Sequence, residues 1–389
     1  MKRGSITSIF SMLLTGLLAQ GTLLLADAPS ADETPPASAE TFQPETAHTG
    51  FTQFETFMRD PNNPFPIADR LEQGLAMMDT LWAIDSDIEF KHKLIWTRFS
   101  LRMAQARTGN EESIDTLLKE LTAYSQHEEP DVALAARDAS MTLQLMLTRD
   151  KSAEERLALA ENLQTEIQAM EVAPASAKLA MTLAKNLSSV VADTTAARIA
   201  DELSRHFASS DVAEVQRASE DLKGFSRMVN LNGNEIRIKG KTLAGKELAW
   251  ESLRGQVVLV DFWATWCGPC IGEFPHLKQL YHAYHKHGFE IVAISLDDAK
   301  AEVEQFVADR ELPWIVVCNA EGDDYNGFSD ENARHYGINA IPRMIFVGKD
   351  GIVQATDARG DKLAELLAQA FPDVEAPELE SEEPAAEQK

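Results

Sequence analysis

At 389 residues the chain is longer than one hydrophobic core usually organises, so at least two domains are expected. It carries 62 Asp and Glu against 36 Lys and Arg, a net charge of −26, and no Lys/Arg run. That balance excludes a nucleic-acid partner, because phosphate binding needs clustered cations. Its three cysteines are too few for a disulfide framework in a protein of this size.

Residues 1–28 read as an export segment. Lys2 and Arg3 precede a mostly apolar run from Ile6 to Leu25, and Ala26-Asp27-Ala28 resembles a small-residue cleavage site. Pro29 disfavours cleavage there, and the run approaches bilayer-spanning length although Thr, Ser, Gly and Gln interrupt it. The expectation is therefore a signal peptide or an N-terminal membrane anchor, and a location in the periplasm or cell envelope. No cysteine follows the run, which argues against a lipid anchor. Residues 29–50 are rich in Pro, Ala, Thr, Ser and Glu and read as a disordered linker.

Residues 51–228 read as an all-helical domain. Apolar positions recur at three- and four-residue steps, as in Leu71, Leu75, Met78 and Leu81 and again in Leu94, Ile95, Phe99 and Met103. Helices are also expected over Val132–Leu147, Ala153–Met170, Ala177–Val191, Ala196–Phe207 and Val212–Phe225. Short polar loops between them imply an antiparallel bundle or array. No tetratricopeptide-type period is sustained. His92, His127 and His206 are scattered without metal-ligand spacing, so this half is assigned packing or partner recognition but no chemistry.

Residues 229–372 change period. Glu235–Lys239 alternates and is expected to form a hairpin with Lys246–Trp250 through Leu243-Ala244-Gly245. Strand Val257–Phe262, helix Pro269–His287 and strand Phe289–Leu296 follow. Next come a helix over Ala299–Asp309, capped by Asp297-Asp298, and strand Trp314–Val317. A short helix Glu331–Tyr336, a hairpin of Arg343–Val347 with Ile352–Ala355, and helix Asp361–Phe371 complete an α/β sandwich with both sheet faces covered. Residues 373–389 read as an acidic disordered tail.

The chemistry lies at Val-Asp-Phe-Trp-Ala-Thr-Trp-Cys-Gly-Pro-Cys, residues 260–270, between an apolar strand and an amphipathic helix. A helix N-terminus presents free N–H groups and the positive end of the peptide dipole, which favours a thiolate at Cys267. Such a thiolate attacks a substrate disulfide, and Cys270, one turn on, displaces the product. Asp261 sits within the apolar strand, where an unpaired carboxylate is costly and a raised pKa is expected. Cys318 ends an apolar strand and reads as a buried small residue.

This segment resembles the active site of thioredoxin-like proteins. The flanking Ser252–Leu259 and Glu273-Phe274-Pro275 are similar to the exported TlpA/ResA-type thiol–disulfide oxidoreductases. The resemblance covers about Gly233 to Phe371 and not the helical half. It implies a thioredoxin-like sandwich, with Cys267 as the nucleophile and Cys270 as the resolving thiol. Gly268 and Pro269 then tune the potential, as in reducing members. The resemblance also makes Asp261 a general base for Cys270 and Glu273 an acid beside the dithiol. It implies a cis proline at Pro342, with the Ile341 backbone pairing with substrate, and an apolar rim from Trp266. Arg343 replaces the small residue usual after that proline, which points to acidic partners. The expected partners are a protein disulfide substrate and a membrane thiol donor, with no cofactor and no metal.

Three other readings compete. A zinc site shared with His282 and His285 requires breaking the helix that separates them from Cys270. Thiol peroxidase chemistry needs a proline and a hydroxyl where this chain has Val260 and Ala264. A partner-binding protein whose helical half recruits the substrate is the third. The carboxylates of Asn319–Glu331 lack calcium-loop order and read as a solvated loop.

Overall fold

The computed structural model describes residues 38–84, 86–320, 327–375 and 377. The export segment, residues 29–37 of the expected linker, the acidic loop at 321–326 and most of the acidic tail lie outside the described residues. The chain divides into two compact units, Met1–Ala139 and Ser140–Lys389. The two units divide within the run of helices, the last of which ends at Val229.

The first unit contains helices α1 (Ala47–Arg59), α2 (Ile67–Ala83), α3 (Ile88–Arg107), α4 (Glu112–Tyr124) and the start of α5 (Pro130–Thr148). Phe51, Phe54, Phe57, Leu71, Leu75, Met78, Leu81 and Leu94 share one core, as their spacing requires. Phe42 and Ala47 are buried in the same cluster, so order begins within the segment whose composition suggested linker. One aromatic side chain supplied the apolar surface that the surrounding Pro, Thr and Glu lack. Arg98 is buried and paired with both Asp79 and Glu120, and Arg102 donates to Glu120 at 2.6 Å. Two carboxylates thereby offset the cost of burying that guanidinium.

In the second unit α6 (Ala153–Gln168), α7 (Pro174–Leu187), α8 (Asp193–Phe207) and α9 (Ala213–Val229) precede a sheet domain. Ser152 opens α6 with a capping box, its Oγ accepting from Glu155 N at 3.2 Å while Glu155 accepts from Ser152 N at 3.0 Å. Small residues let helices approach closely: Ala177, Ala180 and Ala184 on α7, and Ala196, Ala197 and Ala200 on α8, are buried.

The sheet holds β1 (Val257–Trp263), β2 (Phe289–Ser295), β3 (Ile315–Val317), β4 (Arg343–Val347) and β5 (Val353–Ala355) in the order β3-β2-β1-β4-β5. β1 runs parallel to β2 and antiparallel to β4. Helices α10 (Gly268–Tyr284), α11 (Lys300–Arg310), α12 (Glu331–His335) and α13 (Asp361–Ala370) complete a mixed-sheet thioredoxin-like domain. Val257, Leu259 and Trp263 join one core cluster, while Val258, Val260 and Phe262 join the other. This is the period of two that a sheet buried on both faces imposes.

The expected hairpin of Glu235–Lys239 with Lys246–Trp250 does not form as paired strands. The turn is present, with Thr242 N donating to Lys246 O at 2.8 Å, but only isolated bridges flank it. Ile236 and Ile238 are buried, as alternation suggests. Yet Arg237 N donates to Tyr336 Oη and Lys239 N to Asn332 Oδ1, both at 2.9 Å. Side chains at and beside α12 took the hydrogen bonds that a partner strand would have supplied.

Candidate active site

Cys267 is the N-cap of α10, and its Sγ accepts from Cys270 N at 3.2 Å. The two cysteines form a disulfide, so the protein is seen in its oxidised state. Cys270 is fully buried, whereas Cys267 keeps 5% of its surface exposed. That asymmetry leaves Cys267 as the sulfur an incoming thiol or disulfide can reach.

The loop from β1 to α10 is pinned by Asp297. Its carboxylate accepts from Thr265 N at 3.0 Å, from Thr265 Oγ1 at 2.5 Å and from Ser295 Oγ at 2.8 Å. By its place in the sequence Asp297 is expected to cap the following helix. That helix instead starts at Lys300 from Ala299, without a side-chain cap, because Asp297 is buried and turned to the active-site loop. Trp266 is 58% exposed beside Cys267, its ring 6.3 Å from that of Phe328. Trp263 is buried against Phe274 in an edge-on contact at 5.1 Å.

The Ile341-Pro342 peptide is cis. Arg343 pairs with Phe262 near the end of β1, which places Pro342 at the sheet end where the Cys267 loop departs. Ile341 packs against the cluster that contains both cysteines. Arg343 donates to the Thr356 carbonyl at 3.5 Å. Gly268 and Pro269 form the first turn of α10, where proline loses no hydrogen bond.

Asp261 is completely buried, and its position in β1 turns it to the same face as Leu259 and Trp263, the face that packs on Cys270. Neither of its carboxylate oxygens has a hydrogen-bond partner among the described residues. Burial pushes its pKa up to about 7; the charge of Glu273 adds to the rise and Arg359 opposes it. Glu273, one turn beyond Cys270, is held below the ordinary carboxylate value by His276 and then by Arg359, against the opposing effect of burial. Arg359 Nη2 donates to Glu273 Oε1 at 3.3 Å, and His276 Nδ1 lies 4.0 Å from Glu273 Oε2.

The dithiol, Asp261 and Glu273 are therefore gathered on one side of the sheet, with Trp266 and Ile341-Pro342 at the rim. Arg359 and His276 were missed in the sequence. His276 had a usable signal, lying three residues after Glu273 on the same helix face. Arg359 is separated from Glu273 by 86 residues and had none. Cys318 is buried and free, its thiol pushed up by burial. Asp330, in the acidic loop, caps α12 by accepting from Asn332 N and Ala333 N. His285 stacks on Tyr281 at 4.4 Å at the end of α10.

Comparison with known proteins finds relatives of the sheet domain. The Redoxin family model matches residues 231–370. A thiol-disulfide oxidoreductase ResA from Bacillus thuringiensis subsp. konkukian is 31% identical over 125 residues, covering 32% of this chain and 67% of the relative. The ResA of Oceanobacillus iheyensis is 37% identical over 102 residues, 26% of this chain and 49% of that protein. Among solved structures, the thioredoxin domain of a thiol-disulfide oxidoreductase from Bacteroides vulgatus matches with 27% identity and a TM-score of 0.32, covering 36% of this chain and 96% of its own. Through its C-terminal domain, with a Cys267–Cys270 pair at the start of a helix, the chain belongs to the ResA thiol-disulfide oxidoreductases.

Proposed function

We propose that the chain is an exported disulfide reductase, with residues 1–28 as the export or anchoring segment and Cys267 as nucleophile. The observation that carries this reading is the reachable Cys267 at the N-cap of α10, with a sealed Cys270 and a buried, unpaired Asp261 behind it. The Cys267 thiolate attacks one sulfur of a substrate disulfide; an S–S bond forms to Cys267, and the first substrate thiolate leaves. Asp261 takes the proton of Cys270. The Cys270 thiolate then attacks Cys267 Sγ and expels the second substrate thiolate, which leaves the oxidised pair. A dithiol donor, proposed to be a membrane thiol carrier, returns two electrons and two protons. Trp266, Gly268, Pro269 and the backbone of Ile341 beside Pro342 hold the substrate segment. Glu273 stays charged and raises the proton affinity of Asp261, which strengthens it as the acceptor for the Cys270 proton.

Equilibrating the pure protein with glutathione or dithiothreitol buffers tests the direction. A reductase requires a potential near or below about −250 mV, and a value near about −120 mV would mark an oxidant instead. A second test concerns Arg359. Substituting Arg359→Gln removes a positive charge that opposes the raised pKa of Asp261 and helps to lower that of Glu273. The pH dependence of the resolving step is expected to move to higher pH, and Arg359→Lys to restore much of it. An unchanged profile would mean that Arg359 serves packing alone.

A further inference from the structure

Helix α9 lies outside the Redoxin match, which begins at residue 231, yet it is locked onto the rim of the dithiol site. A Cβ added to Gly224 would meet the Cα of Gly337 at 2.7 Å, so the two backbones touch where any side chain would part them. Arg227 Nη1 donates to the His335 carbonyl at 3.2 Å, and Arg334 pairs with Glu220. The chain that α9 grips in this way leads from α12 directly into Ile341-Pro342.

Beside this contact is a cleft of about 230 Å³. Ala213, Arg217, Glu220 and Asp221 of α9 form one wall, with Phe328 and Arg334 on the other. Phe328 is the residue whose ring faces exposed Trp266, the neighbour of Cys267, and Gly327 N is tied to Asp298 Oδ1 at 2.8 Å. The cleft thus continues the rim of the dithiol site, with one wall from the shared domain and the other from the helical array.

We infer that this cleft is a specificity subsite for the polypeptide flanking the cysteine that Cys267 attacks, so that the substrate is a protein disulfide read partly by α9. The inference rests on the disulfide-reductase reading of the site. A small disulfide needs only Cys267 and its immediate rim, whereas a polypeptide that extends past Trp266 over Phe328 meets the α9 wall. Glu220 and Arg334 are paired with each other, and Arg217 and Asp221, of opposite sign, are the other charged groups lining the cleft. Such a lining suits a polar side chain better than an apolar one.

The test compares kcat/KM on insulin with kcat/KM on glutathione disulfide for the full chain and for Arg217→Glu and Ala213→Trp, one altering the charge and the other filling the cleft. The ratio is expected to fall roughly fivefold or more in both variants, through KM for insulin. An unchanged ratio in both, with circular dichroism showing folded protein, would overturn the subsite while leaving the reductase reading intact. Absence of insulin reduction by the parent chain would remove both.

Discussion

Cys267→Ser is expected to abolish disulfide reduction, with turnover of insulin falling by on the order of a thousandfold or more. The reason is positional as well as chemical. Cys270 is fully buried and cannot substitute, because a disulfide sulfur has no path to it. Serine at the N-cap keeps the hydrogen bond to the first turn of α10, so the fold is retained and the loss reads chemistry. Cys270→Ser should behave differently: the first attack proceeds, the second does not, and the mixed disulfide with substrate accumulates. Intact-protein mass spectrometry distinguishes the two variants. Substantial turnover by Cys267→Ser, at more than about a tenth of the parent rate, would refute Cys267 as the nucleophile.

Asp261→Asn is expected to slow the resolving step by on the order of a hundredfold while making the protein more stable. The activity effect follows from losing the acceptor for the Cys270 proton. In the parent chain the resolving rate should climb as pH rises through about 7, where Asp261 loses its proton. The variant should lack that inflection. Stopped-flow measurement of mixed-disulfide resolution between about pH 5 and 9 reads both effects.

The stability effect has the opposite sign to that of a salt-bridged carboxylate. The folded-state pKa of about 7 lies above the ordinary 3.8, so the native state holds the proton more tightly than the unfolded chain does. The burden of the buried charge is absent below about pH 4, grows as pH rises, and is complete above about pH 7. The difference between about 7 and 3.8 corresponds to about 4 kcal/mol, an upper bound for the gain from Asn at alkaline pH. Denaturation at about pH 4 and 9 should show the variant's advantage only in the second. Equal stability at both would mean that Asp261 is ionised at little cost.

Much of the sheet domain was legible because its signals are local. The continuous apolar run at residues 257–260 marks a doubly covered strand, and Gly288, with φ of 99°, ends the α10 segment where glycine is required. The cis peptide at Ile341-Pro342 was implied by the family resemblance, and the bond is cis. The hairpin expected at Glu235 does not form because alternation reports only which side chains are buried. It cannot name the partner for the backbone, and here Tyr336 and Asn332 filled that role. Phe42 shows the converse, a single aromatic residue bringing order to a stretch of linker-like composition.

The sequence by itself determined the redox pair, the strand and helix that frame it, the buried position of Asp261 and the general run of helices. Each of these is set by spacing within a few residues, at which the backbone's periods of 2 and 3.6 operate. Only the tertiary structure decided that Arg359 reaches Glu273, that Asp297 holds the Thr265 loop instead of capping a helix, and that α9 walls a cleft beside Trp266. Those contacts join residues far apart in the chain. They exist only once strand order and register have placed the segments together, and no local pattern records that placement.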